Sequence, residues 1–179
     1  MVFPALPHVG GMMSLWEVRV QDFMTYAKES AVGIPAAPET WARPGFPQDS
    51  SHPVVLVSCA EAAAFCAWLT AKERAAGLIQ PTHSYRLPTR LEFDAAMDSL
   101  PPGMTSSTAP QRNSPYPWGP AWPPPAGAGN FAPGTTPDHD DGHARTAPVG
   151  RFTPNSSGFH DLAGNVWEML TRKPGEPAV

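Results

Sequence analysis

The stretch Asp161-Leu162-Ala163-Gly164-Asn165-Val166-Trp167-Glu168-Met169 sets two carboxylates at the ends of a run of small and apolar residues. Wrapped as an irregular loop, it turns the carbonyls of Gly164 and Val166 inward beside Asp161 and Glu168. Carboxylate and carbonyl oxygens together make an all-oxygen cage of the kind Ca²⁺ accepts. The same residues also read as an amphipathic turn with Trp167 in the core.

A second acidic cluster lies upstream: Asp138, then His139-Asp140-Asp141-Gly142-His143. Zinc asks for His and Cys ligands at helical or knuckle spacing, and no Cys is near. Calcium tolerates irregular loops and oxygen ligands, so it suits this cluster better. A solvated acidic turn is the competing reading.

The rest of the composition favours a loop-built domain. The 179 residues suffice for one domain with a sizeable core. Proline (24) and glycine (15) are abundant. Each proline removes a backbone donor and fixes a dihedral, so long helices and regular sheets cannot dominate. Such loops need anchors, which buried Trp residues or a bound ion can supply. The formal charge is −4 with no basic stripe, which argues against a nucleic-acid partner. No apolar run approaches membrane-spanning length. The amino terminus lacks a basic start and an apolar core, so it does not read as a signal peptide. The expected location is therefore cytoplasmic by default, with export as the alternative if a signal precedes this sequence.

Local patterning predicts several elements. Ser14-Leu15-Trp16-Glu17-Val18-Arg19-Val20 alternates and reads as a strand. It leads into Gln21–Lys28, where Phe23, Tyr26 and Ala27 share one helical face. Val54-Val55-Leu56-Val57 reads as a short buried strand. Ser58 and Glu61 have capping-box spacing and open a helix whose inward stripe is Ala62, Phe65, Cys66 and Leu69. Gly77 stops it. Thr89 and Glu92 repeat the cap ahead of Leu91, Ala95 and Ala96. Between Pro101 and Pro148 regular patterning disappears. Tyr116, Trp118, Trp122 and Phe131 nevertheless supply apolar anchors that disordered segments lack, which predicts ordered loops. On one helix, Cys59 and Cys66 sit two turns apart, roughly 10 Å along the axis. That is too far for a disulfide, so both read as reduced, buried thiols.

Taken in order, these pieces resemble the formylglycine-generating enzyme, or sulfatase-modifying factor, family. The resemblance rests on Asp161–Glu168, on Ser14-Leu15-Trp16-Glu17-Val18 with Phe23, and on His52-Pro53-Val54-Val55 with Val57-Ser58. It rests also on Ala62 through Leu69, Tyr85-Arg86-Leu87-Pro88-Thr89 with Glu92-Phe93, and Tyr116-Pro117-Trp118-Gly119. Asn130-Phe131, Thr146-Ala147-Pro148-Val149 and Pro154-Asn155 with Gly158 complete the set. The resemblance implies an α+β, irregular, loop-rich C-type-lectin-like fold with two to three short helices and short strands. One domain over residues 1–170 and a tail over 171–179 are expected.

It also implies two structural calcium ions. One would take Asn130, the carbonyl of Phe131, Asp141 and the carbonyl of His143. The other would take Asp161, the carbonyls of Gly164 and Val166, and Glu168. In the family a carboxy-terminal cysteine pair binds copper(I), as soft thiolates do, and a sulfatase cysteine becomes formylglycine. Here ten residues follow Met169 and none is Cys. Cys59 and Cys66 lie in the first capped helix, so no catalytic residue is assigned and copper is not expected. The resemblance therefore implies a carboxy-terminally truncated member that lacks a core strand, with a tail fitting a reading frame that diverges after Glu168. Three roles follow from it: a sulfatase-modifying oxidase completed from elsewhere, a non-catalytic lectin-like binding module, or a remnant. A sulfatase or other protein substrate is the implied partner.

Overall fold

The computed structural model describes residues 1–97, 116–132 and 140–171. Three helices carry its regular structure. The first, α1 (Val20–Glu29), starts where Asp22 accepts the Arg19 backbone N–H at 3.2 Å and the Arg19 guanidinium at 2.8 and 3.0 Å. Its buried residues are Phe23, Tyr26 and Ala27, the face that the spacing predicts. The second, α2 (Cys59–Ala75), begins with a reciprocal cap. Glu61 Oε2 accepts the Ser58 N–H at 2.7 Å, and Ser58 Oγ accepts the Glu61 N–H at 3.2 Å. It ends as Gly77 adopts a left-handed φ of +68° and Leu78 N–H donates to the Glu73 carbonyl at 2.9 Å. The third, α3 (Arg90–Ala96), repeats the device with Thr89 and Glu92.

Two strand expectations are corrected. Among the described residues, extended segments pair only in isolated bridges. Ser14–Val20 is not a strand: the chain bends at Leu15 and Trp16, and its bridge to Pro53 is confined to Arg19, where the Asp22 cap turns the chain into α1. Val54 N–H still donates to the Val18 carbonyl at 2.8 Å. Val54–Val57 fails as a strand because Leu56 takes a φ of +56°, which kinks the backbone and turns its side chain to solvent.

Two cores result. Phe23, Tyr26, Trp41, Phe65 and Leu69 form the first, where α1 packs on α2. Phe23 stacks on Phe65 at 5.9 Å between ring centroids and meets Trp41 edge-on at 5.2 Å. The second joins Leu6, Ala96, Met97, Phe159 and Leu162. It ties the Asp161–Glu168 stretch to α3, helped by Asn155 Nδ2 donating to the Ala96 carbonyl at 2.6 Å. Trp167 is fully exposed, which overturns the reading of this stretch as a turn with Trp167 in the core.

In the described parts of the Pro-rich region, Tyr116 stacks on Trp118 at 5.0 Å, and Trp118 meets Phe131 edge-on at 5.7 Å. The rings hold that loop as expected. Asp138, His139 and the tail beyond Thr171 lie outside the described residues.

Candidate metal centre

The expected ligands fall into two loops that interlock. In the first, the Asp141 carboxylate accepts the Phe131 N–H at 2.7 Å and the His143 N–H at 2.9 Å. One side chain thus gathers the backbones of residues 131 and 143, whose carbonyls are the other expected ligands. Asn130 is buried, and its Nδ2 donates to the Arg145 carbonyl at 2.6 Å. The His143 ring packs edge-on against Phe152, so the imidazole is used for packing.

The second loop locks onto the first through Asn165. Its N–H donates to the Asn130 carbonyl at 2.8 Å, and its Oδ1 accepts from Asn130 Nδ2 at 3.2 Å and from the Ala147 N–H at 2.8 Å. The backbones approach closely enough to require glycine at two places. A Cβ on Gly164, whose φ is +93°, would sit 2.5 Å from the Asn130 carbonyl oxygen; one on Gly129 would sit 2.6 Å from that of Ala163. The two expected ligand sets therefore share one framework. Asn165, which sequence reading did not single out, is its hinge pin.

Electrostatics mark the second set. Asp161 is buried with a left-handed φ of +57°; its Oδ2 accepts the Gly150 N–H at 2.6 Å, and its Oδ1 has no hydrogen-bond partner. Glu17 lies beside it, with both carboxylate oxygens buried and facing the Asn165 amide and Asp161 without reaching hydrogen-bond geometry with either. Burial, then the charges of Asp161 and Glu168, push the Glu17 carboxyl up to about 9. Burial, then Asp161, pushes Glu168 up to about 8, and burial raises Asp161 too. The Asp161 charge opposes ionisation of both glutamates, and Glu168 opposes that of Glu17, in a poorly solvated place where protons or a cation would relieve the repulsion.

Glu17 is the acidic residue that sequence reading left out of the site. The available signal was its place between Trp16 and Val18, a carboxylate inside an otherwise apolar run.

Among the described residues, no set of three His, Cys, Asp or Glu side chains is arranged as a metal centre. Any cation here would depend on backbone carbonyls as well, which is how calcium loops are built. The unpartnered oxygens of Glu17 and Asp161 fit such a hard cation and do not fit a soft one. Both cysteines are free thiols in α2, and burial pushes Cys66 up to about 11.

Residues 12–175 match the family described as Sulfatase-modifying factor enzyme 1-like domain. The chain is 36% identical over 146 residues to the formylglycine-generating enzyme of Thermomonospora curvata, a match covering 76% of this chain and 40% of that protein. It is 31% identical over 171 residues to the inactive C-alpha-formylglycine-generating enzyme 2 of Mus musculus, covering 90% of this chain and 46% of that one. This chain thus spans less than half the length of either relative. PvdO from Pseudomonas aeruginosa shares the fold, with a TM-score of 0.59 at 22% identity over 90% of this chain and 61% of that one. Motifs in order, a loop-rich three-helix architecture and these matches converge: the chain belongs to the sulfatase-modifying factor, or formylglycine-generating enzyme, family.

Proposed function

We propose that this chain is a formylglycine-generating-enzyme-type domain whose two interlocked loops are held by calcium, and that it carries no oxidase activity by itself. The observation behind the calcium reading is the set of unpartnered, buried oxygens on Glu17 and Asp161, beside Glu168. Asp161, Glu168 and the carbonyls of Gly164 and Val166 would hold one ion. Asn130, Asp141 and the carbonyls of Phe131 and His143 would hold the other. Both ions would serve structure, bracing loops too rich in Pro and Gly to brace themselves.

The placement of its thiols supports the second half of this reading. Cys59 and Cys66 lie along α2, both half-buried rather than buried as expected, and desolvation raises the Cys66 thiol, which makes it a poor copper(I) ligand. A non-catalytic role, binding a sulfatase or another protein, accords with similarity to a relative whose name calls it inactive, although the chain is at least as similar to relatives named formylglycine-generating enzyme.

Thermal unfolding in calcium and in EGTA tests the first part. An ion that binds only the folded state raises stability, by about 2.7 kcal/mol at a hundredfold excess over Kd. An unchanged melt would remove the calcium reading. A copper(I) titration tests the second part, and stoichiometric thiol-dependent binding would restore the oxidase.

A further inference from the structure

A relay of hydrogen bonds runs from a ligand of the first loop to a ligand of the second. The Asp141 carboxylate accepts the Phe131 N–H at 2.7 Å, and the Asn130 carbonyl, on the same peptide unit, accepts the Asn165 N–H at 2.8 Å. The Gly164 carbonyl belongs to the peptide unit of that last N–H. Among the described residues the only cis bond is Trp122–Pro123, so both units are trans. In a planar trans unit the N–H and the C=O point in opposite directions. Fixing Asp141 therefore fixes the aim of the Asn130 carbonyl, and the Asn165 N–H carries that orientation on to the Gly164 carbonyl. Side chains hold the relay in register. Asn165 Oδ1 accepts from Asn130 Nδ2 at 3.2 Å and from the Ala147 N–H at 2.8 Å, while Asn165 Nδ2 donates to the Ala147 carbonyl at 3.3 Å. Asn130 Nδ2 also donates to the Arg145 carbonyl at 2.6 Å, so both its hydrogens are engaged and the direction of its amide oxygen is set. Asn165 is a ligand in neither set, yet it orients one ligand in each.

Two effects oppose each other in such an arrangement. An ion that orders one loop also orders residues shared with the other, so the next ion meets less of the entropic cost and binds more tightly. Two calcium ions repel each other, but the carboxylates of Asp141, Asp161 and Glu168, with Glu17 beside them, offset that charge. We propose that the two ion sites bind cooperatively, each ion tightening the other's site through the relay from Asp141 to Gly164, with Asn165 as the positioning residue. The proposal rests on the calcium reading and adds its regulation: the domain takes up or loses both ions within a narrow range of free calcium.

Calcium uptake by the full chain is measured calorimetrically, in the parent and in variants. A coupling of about tenfold, inside the usual range of about 5–150-fold, gives two sites of like affinity a Hill coefficient of about 1.5. Glu168→Gln removes a ligand of the second ion and touches no bond of the relay, so it should weaken uptake at the Asn130–Asp141 loop about tenfold. Asn165→Gly keeps every expected ligand and accepts the left-handed φ of +54°, but it unfastens the Asn130 amide and Ala147. In that background, adding Glu168→Gln should change uptake at the first loop by less than about twofold. A merely structural Asn165 would lower the melting temperature and leave the tenfold dependence in place, and that result would overturn the relay. Independent uptake of two ions by the parent, or an unweakened first loop in Glu168→Gln, would overturn the inference and leave the calcium reading standing. A parent that takes up no calcium would remove both. The parent titration decides the matter even if a variant does not fold.

Discussion

Asn165 and Asn130 grip each other by backbone and side chain at once: the Asn165 N–H donates to the Asn130 carbonyl at 2.8 Å, and Asn130 Nδ2 donates to Asn165 Oδ1 at 3.2 Å. This double contact makes one body of two loops that are distant in sequence. It explains why glycine stands at positions 129 and 164, where any side chain would separate them.

Gly164→Ala should accordingly be among the more damaging small substitutions. The new methyl would meet the Asn130 carbonyl at 2.5 Å on a backbone already at φ +93°. A loss of at least about 2 kcal/mol is expected, combining overpacking with backbone strain. Urea unfolding measures it. A midpoint unchanged from the parent would mean that the loops do not interlock.

Asp141→Ala removes the acceptor of two backbone N–H groups, on Phe131 and His143. Hydrogen bonds to a charged group contribute about 1.5–3 kcal/mol each, partly offset where the freed N–H groups reach water. A loss of roughly 2 kcal/mol without added calcium is expected, and a larger one with it. Equal losses under both conditions would separate Asp141 from the ion.

The pH dependence should invert the usual behaviour of carboxylates. Glu17 and Glu168, at about 9 and about 8, are raised above their unfolded values. In EGTA the folded chain therefore keeps protons that the unfolded chain releases. Stability from these groups is fully present below the unfolded carboxyl range and is lost as pH rises through 8 to 9. Calcium should displace the protons and flatten the slope. Glu17→Gln, neutral at every pH, should lessen the fall seen in EGTA and weaken the calcium response. Calorimetric melts from pH 5 to 9.5 provide the check, and a stability that climbs with pH in EGTA would contradict it.

The features legible in the sequence share a short range. Ser58 with Glu61 and Thr89 with Glu92 cap their helices three residues apart, so both partners stand in view along the chain. The buried face of α1 follows from helical periodicity alone. The two strand expectations fail for the opposite reason. An alternating pattern says which side of an extended segment is apolar, but it cannot supply a neighbour to pair with, and Leu56 breaks its own run with a positive φ.

By itself, the sequence determined the starts of α2 and α3, the abundance of loops and the family, because caps, proline content and ordered motifs are written locally. Only the tertiary structure decided that Glu17 faces Asp161 and Glu168, that Asn165 pins Asn130, and that Trp167 stands in solvent. The physical reason is that burial and charge proximity are properties of position in space. A carboxylate acquires its perturbed chemistry from neighbours that the chain reaches only after folding.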